Sequence, residues 1–408
     1  MGHKTNGKLR KTYGASHNLC VARVSLQRIT GNGRFVPEID GLRFVAIATV
    51  VVFHLFGALK NLGVINTPFL NDLYSVTKGG GWGVQLFFMI SAYILAQPFL
   101  REAEKKVDLK KFYLRRLTRI EPPYLILMAG LGAVHLIVDH HPAETFQHFL
   151  ASIFYVHTFA YHEMSTLNAV AWSLELEVVF YCLAPFLFRA YFGLKSETRR
   201  TAIAIIAAAL TSATIITIPP DSWLSLTLPY HLHYFLIGLL LADLTAAKEA
   251  KSYIWDAAAV AGLVLWAVYG HDKTPLTRTL FPWLLTAVFM GVLRGKAVGS
   301  LLSRRFFTDA GGMCYSIYLT HFFVVQAVVR FAVPRLSFLP TAGIVLVSSA
   351  LALSAVWVTG AAFFLLLEKP CMDPDWVSKL FRRSIPVGPT TTPNDSSAEA
   401  ARRIREAA

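Results

Sequence analysis

Arg43 and His54 stand in a single apolar run, EIDGLRFVAIATVVVFHLFGAL, from Glu38 to Leu59. A charged side chain at the centre of a membrane helix costs about 2.5–3.5 kcal/mol on insertion scales, so such residues turn towards a protein interior and mark function. Eleven positions are close to three helical turns, which puts both residues on one face about 16 Å apart along the axis. A second run, AWSLELEVVFYCLAP, from Ala171 to Pro185, carries two carboxylates. Glu177 shares a face with Ser173 and Tyr181, four residues either side, whereas Glu175 points nearly opposite. Helical rise places His54 and Glu177 at matching depth, about 12 Å below the outer membrane boundary, as a candidate acid–base pair.

KKFYLRRLTRIEPPY, Lys110 to Tyr124, gathers Arg115, Arg116 and Arg119 before a Pro-Pro pair expected to start a helix. Arg115 and Arg119 are one turn apart, and a guanidinium fork suits phosphate oxygens. With Arg43 at the same level, the cluster reads as a site for a phosphate-bearing ligand. GGGWGVQLFFMISAYIL places Ser91 mid-membrane behind glycines that permit close helix approach. GGMCYSIYLTH sets Tyr315, Tyr318 and His321 on one helix, and Glu368–Pro370 closes the last apolar run. His140, His141, His148, His157 and His162 crowd one loop and read as solvated residues rather than metal ligands; no metal is expected. His231 and His233 read as lining a polar cavity.

The elements that must hold these residues are membrane helices. Of 408 residues, 54% are hydrophobic and 16% charged, with a mean hydropathy of +0.48, too apolar for a soluble globule. Runs of spanning length recur near Leu42–Leu59, Trp82–Leu100, Pro122–Val138, Ala169–Tyr191, Thr201–Ile218, Trp223–Leu244, Tyr253–Tyr269, Leu276–Leu293, Met313–Val333 and Gly343–Leu367. The expected fold is all-α, a polytopic transmembrane bundle of about ten spans. Phe146–Tyr161 is too short to span and is expected to be re-entrant or interfacial. With ten spans, Lys and Arg concentrate in loops on one side, which places both termini in the cytoplasm. The first span then acts as an uncleaved signal anchor.

The net charge of +14 follows from that topology and from attraction to anionic lipid or cytosolic anions; no basic stripe with interleaved aromatics suggests nucleic acid. Residues 1–37 read as a flexible basic cytoplasmic tail, 38–372 as one transmembrane domain without internal repeat, and 373–408 as a mostly disordered cytoplasmic tail. The cysteines Cys20, Cys182, Cys314 and Cys371 have no metal-like spacing, and no disulfide is expected.

DGLRFVAIATVVVFH, GVQLFFMISAYIL, FYLRRLTRIEPPY, WSLELEVVFYCLAP, GGMCYSIYLTH and LEKP resemble, in order, the motifs of acyltransferase family 3, over about Asp40 to Pro370. The resemblance implies a bacterial inner-membrane enzyme that moves an acyl group, usually acetyl, from cytosolic acyl-CoA to a hydroxyl of a sugar or glycosylated molecule. It implies catalytic His54 and Glu177, acyl-CoA contacts from Arg43, Arg115, Arg116 and Arg119, and a pocket supported by Ser91, Trp172, Ser173, Tyr181, Tyr315 and His321. No tightly bound cofactor is implied; acyl-CoA is a co-substrate, and membrane lipids and a carbohydrate acceptor are the other partners. The sequence departs from the family pattern at Ala92, Cys314, Glu121 and Glu175. A proton-coupled transporter or flippase of a sugar or glycolipid, with His54 and Glu177 relaying protons, is the rival reading, and a sensor or scaffold on the same bundle is a third.

Overall fold

The computed structural model describes residues 25–29, 35–101, 107–138, 141–247, 250–373 and 376. The greater part of both expected tails, with Cys20 and His140, lies outside the described residues. Every regular element among them is helical. The first is α1 (Pro37–Asn61), then α2 (Pro68–Lys78), α3 (Gly83–Arg101), α4 (Leu109–Val138), α5 (Pro142–Ile153) and α6 (His157–Tyr161). The middle of the chain forms α7 (Trp172–Phe192), α8 (Glu197–Ser212), α9 (Thr214–Thr217), α10 (Leu228–Leu244), α11 (Tyr253–Tyr269) and α12 (Pro275–Arg294). The remainder forms α13 (Ala297–Leu302), α14 (Arg305–Gly312), α15 (Cys314–Arg335), α16 (Thr341–Phe363), a π-helical turn (Phe364–Glu368) and α17 (Lys369–Cys371).

Nine helical stretches among the described residues are long and apolar enough to cross a bilayer. The tenth expected span is α11, which has 17 residues, the lower end of spanning length. Starts follow local chemistry: proline opens α1, α2, α5 and α12, where its missing N–H is no loss. Thr67, Ser196, Ser252 and Thr274 cap α2, α8, α11 and α12 through their side-chain oxygens.

Three expectations change. Pro122 and Pro123 lie inside α4, which begins at Leu109, so the arginine cluster sits on the helix itself. Proline removes backbone donors, here those that would reach the Thr118 and Arg119 carbonyls, and Tyr315 donates its hydroxyl to the adjacent Ile120 carbonyl at 2.8 Å. The run Phe146–Tyr161, expected as one non-spanning helix, falls in two short helices, α5 and α6, separated by a break in which Tyr155 takes a φ of 56°. Within the expected tail, Ser25–Ile29 is held against the bundle: Lys369 bonds the Ser25 carbonyl and Arg28 pairs with Asp40 at 3.0 Å.

Laterally, α1 packs on α3, α14 and α15, and α3 packs on α10 and α7. The α3–α10 approach is set by Gly238, where a Cβ would overlap the Met89 carbonyl and lie 3.0 Å from the Ala92 methyl. The Ala92 methyl fits in the space Gly238 leaves. Replacing Gly238 with Leu is expected to separate α3 from α10 at about 1–3 kcal/mol. The thermal unfolding midpoint in detergent should fall; an unchanged midpoint would show that the close approach is dispensable.

Candidate active site

Basic side chains inside an apolar bundle need partners, and two fully buried carboxylates supply them. Asp40, in the first turn of α1, accepts from Arg43 at 2.8 Å and from Arg28 at 3.1 Å. Glu368, in the π-helical turn, accepts from Arg119 at 3.3 Å, from the Ser316 hydroxyl at 2.6 Å and from the Ser316 N–H at 3.2 Å. The π-turn thereby ties the end of the last span to the start of α15 and to α4. Burial, reinforced by the neighbouring Arg43, pulls the Arg28 guanidinium down to about 10.

The three guanidiniums held by these carboxylates, Arg28, Arg43 and Arg119, border a cavity of about 710 Å³. Seven basic side chains line it, Arg28, Arg43, Arg101, Lys111, Arg115, Arg116 and Arg119, against the two carboxylates Asp108 and Glu177. The basic groups gather towards one end. Apolar residues of α3, among them Val84, Phe87, Ile90 and Ile94, border it as well. Arg116 bridges the two chemistries: its guanidinium lies 3.5 Å over the Phe112 ring and 5.9 Å from the Tyr181 ring. Tyr181 and Ser91 both donate to the same Glu177 oxygen, Oε1, at 2.5 Å each. Two short hydroxyl donors on one oxygen are the arrangement a carboxylate favours. Tyr318 donates to the Val170 carbonyl at 2.9 Å, and its oxygen lies 2.7 Å from Ser173 Oγ.

Arg43, Arg115, Arg116, Arg119, Ser91, Ser173, Glu177, Tyr181 and Tyr315 thus meet at one cavity. Trp172, His321 and His54 do not line it. Trp172 packs against Phe88 and His231, with ring centroids 6.4 and 5.5 Å away. His54, half-buried, stands 5.2 Å from the ring of His321 and is flanked by Phe53 and Phe322. No hydrogen bond or ion pair joins His54 to Glu177 among the described residues, because α3 stands between α1 and α7. Matching depth did not bring the two side chains together.

Asp40, Arg28 and Ser316 were missed as site residues. The i,i+3 spacing of Asp40 and Arg43 is that of a helical ion pair and could have signalled the first; nothing local marks Arg28. The loop histidines also differ from expectation. His148 and His157 are buried and 2.8 Å apart, Nδ1 to Nε2; burial and the neighbouring His148 hold His157 below the ordinary histidine value. Glu175 points away from the cavity and takes the Thr158 N–H at 3.0 Å, tying α6 to α7. No group of three or more metal-binding side chains occurs among the described residues.

A family model described as "Acyltransferase domain" matches residues 36–364. The chain belongs to acyltransferase family 3. Peptidoglycan O-acetyltransferase OatA of Listeria monocytogenes is 30% identical over 168 residues, 37% of this chain and 24% of that protein. "Putative peptidoglycan O-acetyltransferase YrhL" of Bacillus subtilis is 24% identical over 334 residues, 72% of this chain and 49% of that protein. The chain therefore spans about a quarter to a half the length of these relatives. No solved structure matches it. The family match runs from the residue before α1 to the first residue of the π-helical turn, so it takes in every cavity residue except Arg28, Ile29, Cys371 and Met372 and stops short of Glu368.

Removing one partner of a buried ion pair leaves the other charge stranded, at about 3–5 kcal/mol. Asp40→Ala, which strands both Arg28 and Arg43, is expected to lower the unfolding midpoint in detergent well below wild type. A midpoint equal to wild type would mean that the two guanidiniums find solvent instead.

Proposed function

We propose that the protein is a multi-pass O-acyltransferase of the bacterial plasma membrane, taking an acyl group, in the first instance acetyl, from acyl-CoA to a hydroxyl of a carbohydrate. The observation that carries this reading is the joining, in one cavity, of a strongly basic end to an inner end built around Ser91, Glu177 and Tyr181. A phosphate-rich nucleotide fits the basic end, where Arg115 and Arg116 offer forked donors and Arg43, Arg28 and Lys111 add charge. The pantetheine arm follows the apolar wall of α3 and brings the thioester to the inner end. The names of OatA and YrhL support a peptidoglycan acceptor.

In the proposed reaction His54 accepts the proton of the acceptor hydroxyl as its oxygen attacks the thioester carbonyl. The new C–O bond forms, the C–S bond breaks, and the imidazolium returns the proton to the departing thiolate, so ester and free thiol leave with the enzyme unchanged. Glu177, which accepts from two hydroxyls at the inner end of the cavity, lies across α3 from His54, where its field favours the transient positive charge on the imidazole. This is a field effect, not the contact role that depth matching suggested. The transporter reading has no use for a guanidinium cluster gathered at one end of the cavity.

Two experiments test the proposal. Equilibrium binding of acetyl-CoA to the purified protein in detergent should be saturable and weaken as salt rises. Arg115→Ala with Arg116→Ala should weaken it at least about tenfold, since a hydrogen bond to a charged group contributes about 1.5–3 kcal/mol; Arg119 is left in place because Glu368 needs it. Absence of binding by folded wild type would overturn the donor assignment. His54→Ala should bind acetyl-CoA as wild type does and release no thiol in the presence of peptidoglycan fragments; wild-type turnover in that variant would remove His54 from the mechanism.

A further inference from the structure

His321 is fully buried on α15, and its two ring nitrogens have very different surroundings. Nδ1 lies 2.8 Å from the Tyr318 carbonyl and 3.1 Å from the Ile317 carbonyl. A carbonyl oxygen can only accept, so Nδ1 carries the hydrogen and Nε2 of the neutral ring keeps a lone pair. That Nε2 has no partner among the described residues. A buried acceptor left without a donor costs about 1–3 kcal/mol, and its persistence in a native fold asks for an explanation.

The neighbouring rings narrow the choice of donor. Tyr318 has committed its hydroxyl to Val170, and Phe322, which also touches His54, has none to give. His54 stands 5.2 Å away, centroid to centroid, with its ring tilted 52°. It makes no hydrogen bond itself among the described residues. Phe53 and Phe322, 4.8 and 5.2 Å from it, hold its ring between apolar faces without fixing either nitrogen. The two rings share no hydrogen bond as they stand; a centroid spacing of 5.2 Å admits one N–H···N bond on a turn of the His54 ring and leaves no room for a third side chain between them.

We infer that His321 is the positioning residue of His54: its Nε2 accepts the N–H of one His54 nitrogen and leaves the lone pair of the other facing the reacting hydroxyl. The chain of constraint runs from the α15 backbone carbonyls to His321 Nδ1–H, and from His321 Nε2 to His54. An imidazole with a fixed tautomer takes the part that a carboxylate plays in other histidine-based sites, and it does so without placing a second charge in the membrane. His54 then binds a proton on its substrate-facing nitrogen while the imidazolium keeps its bond to His321. In its catalytic consequence this rests on the acyltransferase proposal; the pairing of the two rings does not.

The test uses the full chain in lipid nanodiscs with 15N-labelled imidazoles, the His54 signals being identified by their loss in His54→Asn. In wild type His54 should show one tautomer. In His321→Gln, whose side-chain carbonyl can accept the same bond, that tautomer should persist; in His321→Phe, which fills the space but accepts nothing, the two tautomers should average. Acyl transfer from acetyl-CoA, followed on the same preparations, should fall at least about 100-fold in His321→Phe and recover to within about tenfold of wild type in His321→Gln, with acetyl-CoA binding unchanged in both. A His54 tautomer already averaged in wild type, or unaltered by His321→Phe, would overturn the pairing. A single tautomer that responds as described in a wild type with no transfer would keep the pairing and defeat the acyltransferase reading instead.

Discussion

Asp40 and Glu368 are carboxylates with no exposure, and the basic end of the cavity depends on them. Each lies at a helix terminus and holds guanidiniums from other parts of the chain: Asp40 joins the Ser25–Ile29 segment to α1, and Glu368 joins α4 to α15. Without them the arginines would repel one another across an apolar wall. With them, Arg28 and Arg43 stay in place, and Arg101, Lys111, Arg115 and Arg116 border the same end of the cavity. Apart from Arg101, the same residues are those the proposal assigns to an anionic ligand, which is why the structural and the binding roles of this end are hard to separate.

The other end follows a different logic. Among the described residues Glu177 has no cationic partner in hydrogen-bonding contact; two hydroxyls on one of its oxygens hold it, and Arg116 lies 5.9 Å from the Tyr181 ring. Ser173 and Tyr318 border the same cavity, and one turn further along α15 the His321 ring lies 5.2 Å from that of His54. Polar groups thus pass from α7 to α15 to α1 around the edge of α3. They do not cross directly between α1 and α7.

Much of this was legible in the sequence. Ten apolar runs are visible because a bilayer demands length and apolarity along a single coordinate, and the motif residues fall on the faces that helical period assigns. Arg115, Arg116 and Arg119 border the same cavity as Arg43, and Glu177 meets Tyr181 one turn along its own helix, as their spacing suggested; the bond from Ser91 on α3 to Glu177 had no signal in the spacing. The pairing of His54 with Glu177 was not legible, because depth comes from counting residues whereas lateral neighbourhood comes from packing, here the tight α3–α10 contact at Gly238 and the insertion of α3 between α1 and α7. Pro122 and Pro123 read as a helix start because proline cannot donate, yet in a bundle a neighbouring hydroxyl such as that of Tyr315 can lie against the weakened turn. Arg28 was invisible because its partner is twelve residues away across a stretch with no periodic signal.

The central claim is that one cavity receives an acyl-CoA with its phosphates among the arginines and its thioester beside Ser91 and Glu177. The most direct measurement is an experimental structure of the protein in nanodiscs with a non-hydrolysable thioether analogue of acetyl-CoA. The account predicts phosphate density against Arg115 and Arg116 and the thioether sulfur at the level of Ser91. An analogue bound elsewhere, or a cavity that stays empty while its basic end opens through the membrane, would contradict it.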